Sequence, residues 1–223
     1  MTVTVFWLAP TASARVGLRR YSHLDCPRKP GAYHDWTVFL GEAPLPRVTG
    51  ERSHWGQAEY DFPGRDDPRW PACCPCGYQF APGDEWQEWQ EALYRRADNG
   101  ELATIRDAPD GAMWDAWWMP EPYRGADGRC LVVKCPGGAE WMIDGRASNC
   151  PMPGLVSQAA AEHGEGSPEH QAVQAQDLAH KCWIRHGEPP AITVDKDGVT
   201  CPAGGGSIQA GAYHGFLRGG VFT

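Results

Sequence analysis

The 223-residue sequence lacks a long hydrophobic run and lacks an excess of positive charge. No segment approaches the roughly 18 consecutive apolar residues that a membrane-spanning helix needs, so we expect no membrane partner. The apolar run near the N-terminus has its positive charges after it, whereas a secretory signal has them before it, so we expect a cytoplasmic protein. The net charge of −8 argues against a nucleic-acid partner, because proteins that coat nucleic acid usually carry a basic surface.

Long regular segments are scarce as well, because turn-forming residues are abundant. The chain has 27 glycines and 20 prolines, which favour many turns and short strands. The segment "RCLVVKCPGGAEWMIDG" predicts a β-hairpin, with residues 131–135 and 140–144 as its arms and Gly137-Gly138 as its turn. Further short strands are expected near both ends of the sequence.

One segment has the pattern of a helix. In residues 84–98, "DEWQEWQEALYRRAD", Asp84 and Gln87 have the spacing of a capping box. Trp86 and Trp89 begin an apolar stripe at helical spacing. Together these patterns predict an α+β fold, mostly β, in which short antiparallel strands and hairpins accompany one main helix and a zinc-ribbon-like element.

The sequence suggests two regions. Residues 1–125 hold the predicted helix and a cysteine-rich knuckle, and residues 126–223 hold the predicted β-hairpins; a single compact unit is the alternative. Residues 157–177 lack aromatic side chains, and Val173 is their one large aliphatic residue. We therefore expect a flexible insertion there, with a weak helix at its end.

Nine cysteines are present, and in a reducing compartment clustered cysteines are typically metal ligands or catalytic groups. In "WPACCPCGYQF", Cys73 and Cys76 have C-x-x-C spacing and precede a glycine, which is typical of a zinc knuckle. Cys74 is expected to point away, because its spacing to Cys76 is shorter than that of the usual chelate. The sequence therefore predicts half of a zinc site at Cys73 and Cys76.

A structural zinc ion takes four ligands, so the other half of the site has to come from elsewhere in the chain. The segment "YSHLDCP" offers His23 and Cys26, and "AYHDW" offers His34. Cys26 is the expected third ligand, and either His23 or His34 is the fourth. Such a split site would join the N-terminal strands to the knuckle.

A second candidate zinc site lies in the C-terminal half, where the spacings are irregular. His180 and Cys182 are two residues apart and would face the same side of a strand. The remaining members of this set are Cys150, Cys201 and His214. The same residues allow an alternative, in which this half holds the zinc or cysteine centre of an enzyme.

The chain has 11 tryptophans, which is many for its length. Most are expected to fill a core of short strands. The loop "GAMWDAWWMP" contains Trp114, Trp117 and Trp118 and is the predicted surface for a protein partner. An aromatic platform of this kind also allows another alternative, a carbohydrate-binding module.

Five segments of the chain carry a resemblance to known proteins. They are "LRRYSHLDCP", "CCPCGYQF", "IRDAPDGAMWDAWWMP", "GGAEWMIDGRASNCPMP" and "HKCWIRHGEPPAITVDKDGVTCPAGGGSIQAGAYHGFLRGG". The chain resembles an uncharacterised family of proteins encoded by actinobacteria and their tailed bacteriophages. The resemblance implies a metal-stabilised, β-rich protein of phage origin with a structural or accessory role in a virion, and it implies no particular reaction.

The residues and the resemblance together predict a non-enzymatic, zinc-stabilised structural or interaction protein. We expect it to be phage-encoded, to have protein partners that include other virion components, and to lie in the cytoplasm of a bacterial host or in the virion. Zinc is the expected cofactor. The enzyme and the carbohydrate-binding module remain the two alternatives.

Overall fold

The computed structural model describes residues 2–48, 54–120, 123–203 and 206–223, and most of its regular structure is β-strand. In this described part, antiparallel sheets and hairpins confirm the predicted α+β, mostly β fold. The elements are β1 (Val3–Thr4), β2 (Phe6–Asp25), β3 (Tyr33–Pro44), β4 (Arg47–Val48), β5 (His54–Trp55), β6 (Glu85–Arg96), β7 (Leu102–Ala103), β8 (Ala112–Asp115), β9 (Leu131–Lys134), β10 (Glu140–Met142), α1 (Met152–His163), α2 (Pro168–Ala179), β11 (Ile184–His186), β12 (Thr193–Asp195), β13 (Ile208–Ala210), β14 (Tyr213–Gly215), β15 (Leu217–Arg218) and β16 (Val221–Phe222).

The chain folds into two compact units, and each unit combines segments that are distant in sequence. The larger unit contains Met1–Ala9, Arg96–Glu101 and Asp107–Thr223. The smaller unit contains Pro10–Arg95 and Leu102–Arg106. The division gives each unit its own buried residues and its own cysteines, and residues of β2 belong to both units.

The larger unit is built on two sets of strands. Five strands form an antiparallel sheet in the order β1-β16-β15-β12-β11. In the other set, β9 pairs antiparallel with both β8 and β10, and the first residues of β2 pair parallel to β8. All four residues of β9 are buried, so both faces of this strand are covered, and Leu131 and Val133 belong to the hydrophobic core. Full burial of a side chain of this kind contributes about 1.5–3 kcal/mol.

The hairpin of β9 and β10 confirms the turn predicted at Gly137-Gly138. The two glycines have φ angles of 92° and 84°, which glycine adopts without strain, and with Pro136 they form the three-residue loop between Cys135 and Ala139. The Cys135 N–H donates to the Ala139 carbonyl at 2.8 Å and thereby closes the turn. The resulting register places Trp141 of β10 opposite Val133 of β9.

The smaller unit is organised around β2 and β3, which pair antiparallel along β3. The pairing register shifts between Ser22 and Asp25, and an irregularity of this kind bends the strand. Cys26 follows directly after the bend, and His34 of β3 lies opposite Ser22. The strand pair therefore brings Cys26 and His34 to the same end of the unit.

The helix predicted at residues 84–98 is wrong, because Glu85–Arg96 forms strand β6. Strand pairing and side-chain packing override the local helix propensity. The guanidinium of Arg20 lies 3.9 Å from the centre of the Trp86 ring, whereas Trp89 packs against an aromatic ring of β3. The two tryptophans that were expected to share one helix face thus serve different contacts on a strand.

Residues 157–177, predicted as a flexible insertion with a weak helix at its end, form most of two helices, α1 and α2, and only α2 corresponds to the predicted helix. The many alanine, glutamine and glutamate residues of this segment are good helix formers. Ser167 caps α2 by accepting a hydrogen bond from the His170 N–H at 3.1 Å. The two helices contact each other, and their buried residues are Met152, Ala159 and His170. They form a helical hairpin with little buried surface.

Neither helix in the described part of the chain has the length and apolar character needed to cross a bilayer. 

A buried ion-pair network joins three segments of the larger unit. The Arg185 Nε–H donates to Asp144 at 2.9 Å, and the same guanidinium binds Asp127. The side chains of Arg185 and Asp144 are only 11% and 9% exposed. Burial raises the pKa of Asp144, and the hydrogen bond and charge of Arg185 oppose that rise. Asp144 also accepts a hydrogen bond from the Leu131 N–H, which connects the network to β9.

The variant Arg185→Met should lower the free energy of unfolding by about 3–5 kcal/mol, because it leaves the buried carboxylate of Asp144 unpaired. The loss should be smaller at about pH 5 than at about pH 7, because a carboxyl with a raised pKa takes up a proton as the pH falls. Urea unfolding at both pH values measures the two effects. Arg218→Met removes an exposed arginine of the same unit and is the control. Equal losses in both variants, or a loss that does not depend on pH, would contradict this account.

Candidate metal centres

Four side chains of the smaller unit converge on one point. They are Cys26, His34, Cys74 and Cys76, and the potential ligand atoms of these side chains all lie within 4.8 Å of one another. All are buried except Cys76, which is partly exposed. We call this set centre 1, and its side chains have the composition of a Cys₃His metal site.

A tight turn positions two of the four side chains of centre 1. The Gly77 N–H donates to the Cys74 carbonyl at 2.8 Å, and the Cys74 N–H donates to the Tyr78 carbonyl at 2.9 Å. Gly77 has a φ angle of 99°, which favours glycine at this position. The Tyr78 N–H also points at Cys76 Sγ, 3.5 Å away. The backbone of the turn therefore directs both sulfur atoms towards the same point. The hydrogen bond from the Tyr78 N–H favours the thiolate form of Cys76, but burial and the neighbouring thiols outweigh it and raise the pKa of Cys76.

Cys74 occupies the position in this turn that the sequence predicted for Cys73. Cys73 is exposed and forms a β-bridge with Gln79 on the outside of the turn, so its side chain lies apart from the set. The chelating pair is Cys74-Pro75-Cys76, two residues apart. This spacing is shorter than that of the usual C-x-x-C chelate, but it suffices here because the chain turns at Gly77, directly after Cys76.

His34 is the histidine that joins centre 1, and His23 is not. The His34 Nδ1 atom lies 3.1 Å from Cys76 Sγ. The ring of Tyr78 stacks on the His34 imidazole at a centroid distance of 4.1 Å and an interplanar angle of 7°. This contact fixes the orientation of the imidazole, as supporting residues do around metal ligands. His23 is exposed and lies edge-on between Tyr21 and Tyr33.

Electrostatics favour a thiolate at centre 1. Burial opposes ionisation of Cys74, but hydrogen bonds from the Cys76 N–H, from His34 and from the Asp35 backbone outweigh it and lower the pKa of Cys74 to about 6. A thiolate is the form of cysteine that binds metal ions. Of the two thiols in the turn, Cys74 is therefore the one whose thiolate form is favoured before a cation binds.

A second set of four side chains converges in the larger unit. It comprises Cys150, His180, Cys182 and Cys201, whose potential ligand atoms also lie within 4.8 Å of one another. We call this set centre 2. His180 Nε2 lies 3.2 Å from Cys150 Sγ and 3.1 Å from Cys182 Sγ. His214 lies outside the set, and its Nε2 is 2.8 Å from the hydroxyl of Ser207.

The ligand candidates of centre 2 lie at the base of the helical hairpin. Cys150 comes directly before Pro151, the N-cap of α1, and His180 is the C-cap of α2. Cys182 and Cys201 are buried beside them in a small apolar cluster with Ala203. A metal ion at this point would hold both ends of the hairpin against the rest of the unit.

The sulfur atoms of centre 2 have the spacing of a tetrahedral zinc site. The Sγ atoms of Cys182 and Cys201 are 3.6 Å apart, and those of Cys201 and Cys150 are 3.9 Å apart. Zn–S bonds of about 2.3 Å place neighbouring sulfur atoms of a tetrahedron about 3.8 Å apart. A disulfide needs sulfur atoms at about 2.05 Å, and all of these cysteines are free. The spacing therefore fits one ion bound by all four side chains.

The Cys182 thiol of centre 2 resists ionisation more strongly than the Cys74 thiol of centre 1. Burial raises the pKa of Cys182 to about 12, and the neighbouring thiols Cys150 and Cys201 add to the rise. The Cys201 sulfur accepts a hydrogen bond from the Ala203 N–H at 3.3 Å. Because a thiol that coordinates a metal ion loses its proton, a bound cation would reverse the effect of burial.

The remaining cysteines and the aromatic loop stay outside both sets. Burial raises the pKa of Cys130 and of Cys135 to about 12, as expected for inert cysteines in a core. Of the tryptophans proposed as a partner surface, Trp114 is 1% exposed and belongs to the interior, which corrects that prediction. Trp118 is 45% exposed and packs edge-on against Trp117.

The comparisons with known proteins add no homologue from which a function can be transferred. The family resemblance expected from the sequence motifs therefore stays a prediction. The chemistry of the two centres has to be argued from their own residues. No protein-family model, no curated protein and no solved structure matches the chain.

Proposed function

We propose that the protein binds two structural zinc ions, one at each centre, and that it acts as a structural or interaction protein. The two Cys₃His sets support this proposal most directly, because each offers four protein ligands at the mutual distances of a single tetrahedral ion. Cys₃His is a common ligand set of structural zinc. Iron–sulfur clusters also use cysteine ligands, but ligands shared among several metal atoms would lie farther apart than those of either centre.

The enzyme alternative is less well supported by the geometry. A catalytic zinc ion keeps one coordination position open for water or substrate. Both centres instead offer four protein side chains, which leave no such position at a tetrahedral ion. The raised pKa of Cys182 also opposes a role as a free nucleophile. A closed ligand set therefore favours a stabilising role for the metal.

The biological setting of this role is proposed from the sequence motifs. Their resemblance to proteins of actinobacteria and tailed bacteriophages suggests a phage origin and protein partners within the virion. A stabilising metal suits such a component, because short strands and long loops bury little apolar surface. The exposed Trp118 and its neighbour Trp117 remain the proposed contact surface of the aromatic loop.

The purified protein should contain about two zinc ions per chain, as the two four-ligand sets imply. Native mass spectrometry counts the ions, and elemental analysis identifies them. Removal of the metal with a strong chelator should lower the melting temperature, because the binding free energy of a structural ion is part of the folding free energy. A metal-free protein whose melting temperature is unaffected by the chelator would refute the proposal.

The variant Cys74→Ser should lose one of the two zinc ions, because it removes a ligand candidate of centre 1. Its melting temperature should fall by at least about 6 °C, because the binding free energy of the lost ion is part of the folding free energy. Each kcal/mol of lost folding free energy lowers the melting temperature of a chain of this size by about 2–4 °C. Cys73→Ser is the matched control, since Cys73 is exposed and lies outside the set. Retention of both ions by Cys74→Ser together with loss of one by Cys73→Ser would instead support the spacing predicted from the sequence.

The variant His180→Ala should lose the ion of centre 2 and loosen the helical hairpin, because His180 caps α2 and is a ligand candidate. Hydrogen–deuterium exchange should become faster throughout residues 152–179, and exchange at centre 1 should stay unchanged. His214→Ala is the control, since His214 lies outside centre 2. Protection of the hairpin that survives complete loss of the ion would show that the metal does not hold it.

A further inference from the structure

A polar pocket lies beside centre 2 in the larger unit. Its volume is about 410 Å³, within the range of about 300–1,000 Å³ that is usual for pockets that bind small organic molecules. Trp141 and Trp183 form two of its walls. Their ring centres are 5.6 Å apart and their planes are almost perpendicular, at 87°. The two indoles thus make an apolar corner, which we call the indole corner.

A second part of the lining comes from the hairpin of β13 and β14. Gln209 and His214 lie opposite each other in the strand register, and both line the pocket. Ser207 also lines it and is held by the contact of its hydroxyl with His214 Nε2 at 2.8 Å. The hairpin and the residue before it therefore contribute an amide, an imidazole and a hydroxyl to the pocket lining.

The remaining wall is formed by the segment that leads into centre 2. Asn149 lines the pocket and directly precedes the ligand candidate Cys150, just as Trp183 directly follows Cys182. The Cys150 N–H donates to the Ala147 carbonyl at 3.0 Å, so the segment before Cys150 is folded into a turn. The positions of Asn149 and Trp183 consequently depend on the side chains that would hold the metal.

The charges around the pocket restrict what it can bind. Among the described residues that line it, there is no carboxylate, which disfavours a cation. Arg146 is the one formal charge among them, and it forms an ion pair with Asp177. An anion such as a phosphate would therefore find little free positive charge. The lining is close to neutral and rich in groups that both donate and accept hydrogen bonds.

Sugars match this combination of groups. Their hydroxyl groups donate and accept hydrogen bonds, which suits the side chains of Asn149, Gln209 and Ser207. Their rings have apolar C–H faces, which suit an indole surface. We propose that this pocket binds a neutral saccharide and that centre 2 holds its walls in place. The part of the proposal that concerns the walls rests on the zinc site proposed above.

The test is isothermal titration calorimetry of the zinc-containing protein with three neutral trisaccharides: chitotriose, cellotriose and maltotriose. At least one should bind saturably. Gln209→Ala should weaken that binding about tenfold, as expected for the loss of about 1.4 kcal/mol of hydrogen bonding. Gln209 is exposed, so the variant should fold. Trp141→Phe should also weaken binding, because it reduces the apolar surface of the corner.

Two control variants separate this pocket from other surfaces. Gln174→Ala changes an exposed glutamine on α2, and Trp118→Ala changes the exposed tryptophan of the aromatic loop. Neither should alter binding of the sugar. If Trp118→Ala abolishes binding and Gln209→Ala leaves it intact, the sugar binds the aromatic loop and the pocket proposal is wrong.

Zinc content, measured on the same samples, distinguishes failure of this proposal from failure of the zinc proposal. A protein with two zinc ions that binds none of the three sugars would overturn the saccharide pocket and leave the metal centres standing. A protein without zinc that binds a sugar in a Gln209-dependent way would support the pocket and overturn its dependence on centre 2. Loss of sugar binding in His180→Ala, with His180 outside the pocket lining, would support that dependence.

Discussion

The constraint on which the rest of the structure depends is the burial of sulfur and nitrogen ligands at two points. Polar groups taken out of water have to be compensated, and a cation compensates four such groups at once. Around centre 1 the local apolar cluster consists largely of the ligand candidates themselves: Cys26 and Cys74 are buried with Phe80, and Cys76 and Tyr78 pack against them. A metal ion would therefore add to the hydrogen bonds of the turn and to the stacking of Tyr78 on His34.

With a metal ion bound, the two centres would stabilise different kinds of structure in the same way. Centre 1 joins the irregular end of β2 and the start of β3 to a tight turn about forty residues later in the sequence. Centre 2 closes the base of a helical hairpin whose own buried residues are few. In both cases segments with little apolar surface meet at a Cys₃His set, and metal–ligand bonds would replace part of a conventional core.

Much of the fold follows from the sequence where local chemistry and tertiary structure agree. The glycine pair after β9 predicts its hairpin correctly, because positive φ angles at both positions permit few other structures. The segment 84–98 fails for the opposite reason, since its helical spacing and capping residues are local signals that strand pairing overrides. The alanine-rich segment 157–177 lacks a core pattern but has high helix propensity, and it is propensity that decides its structure.

For the candidate sites too, the sequence predicts some features correctly and others wrongly. Residue types and cluster membership indicate Cys26, Cys76 and the group around Cys182, and the structure brings those residues into the two sets. Spacing alone misplaces the knuckle partner, because the choice between Cys73 and Cys74 depends on where the chain turns. The signal that favours Cys74 is the run Cys74-Pro75-Cys76-Gly77, in which proline and glycine mark the tight turn. The spacing to Cys182 favours His180 already in the sequence, but only the fold shows that His214 lies outside the set.

X-ray absorption spectroscopy at the zinc K-edge tests the central claim most directly, because it reports the ligands of the bound metal. The account predicts an average environment of three sulfur atoms at about 2.3 Å and one nitrogen atom at about 2.0 Å, without an oxygen ligand. Two identical Cys₃His sites would both contribute to that average. An oxygen atom in the first coordination sphere, or a mean of two or fewer sulfur atoms per zinc ion, would contradict it.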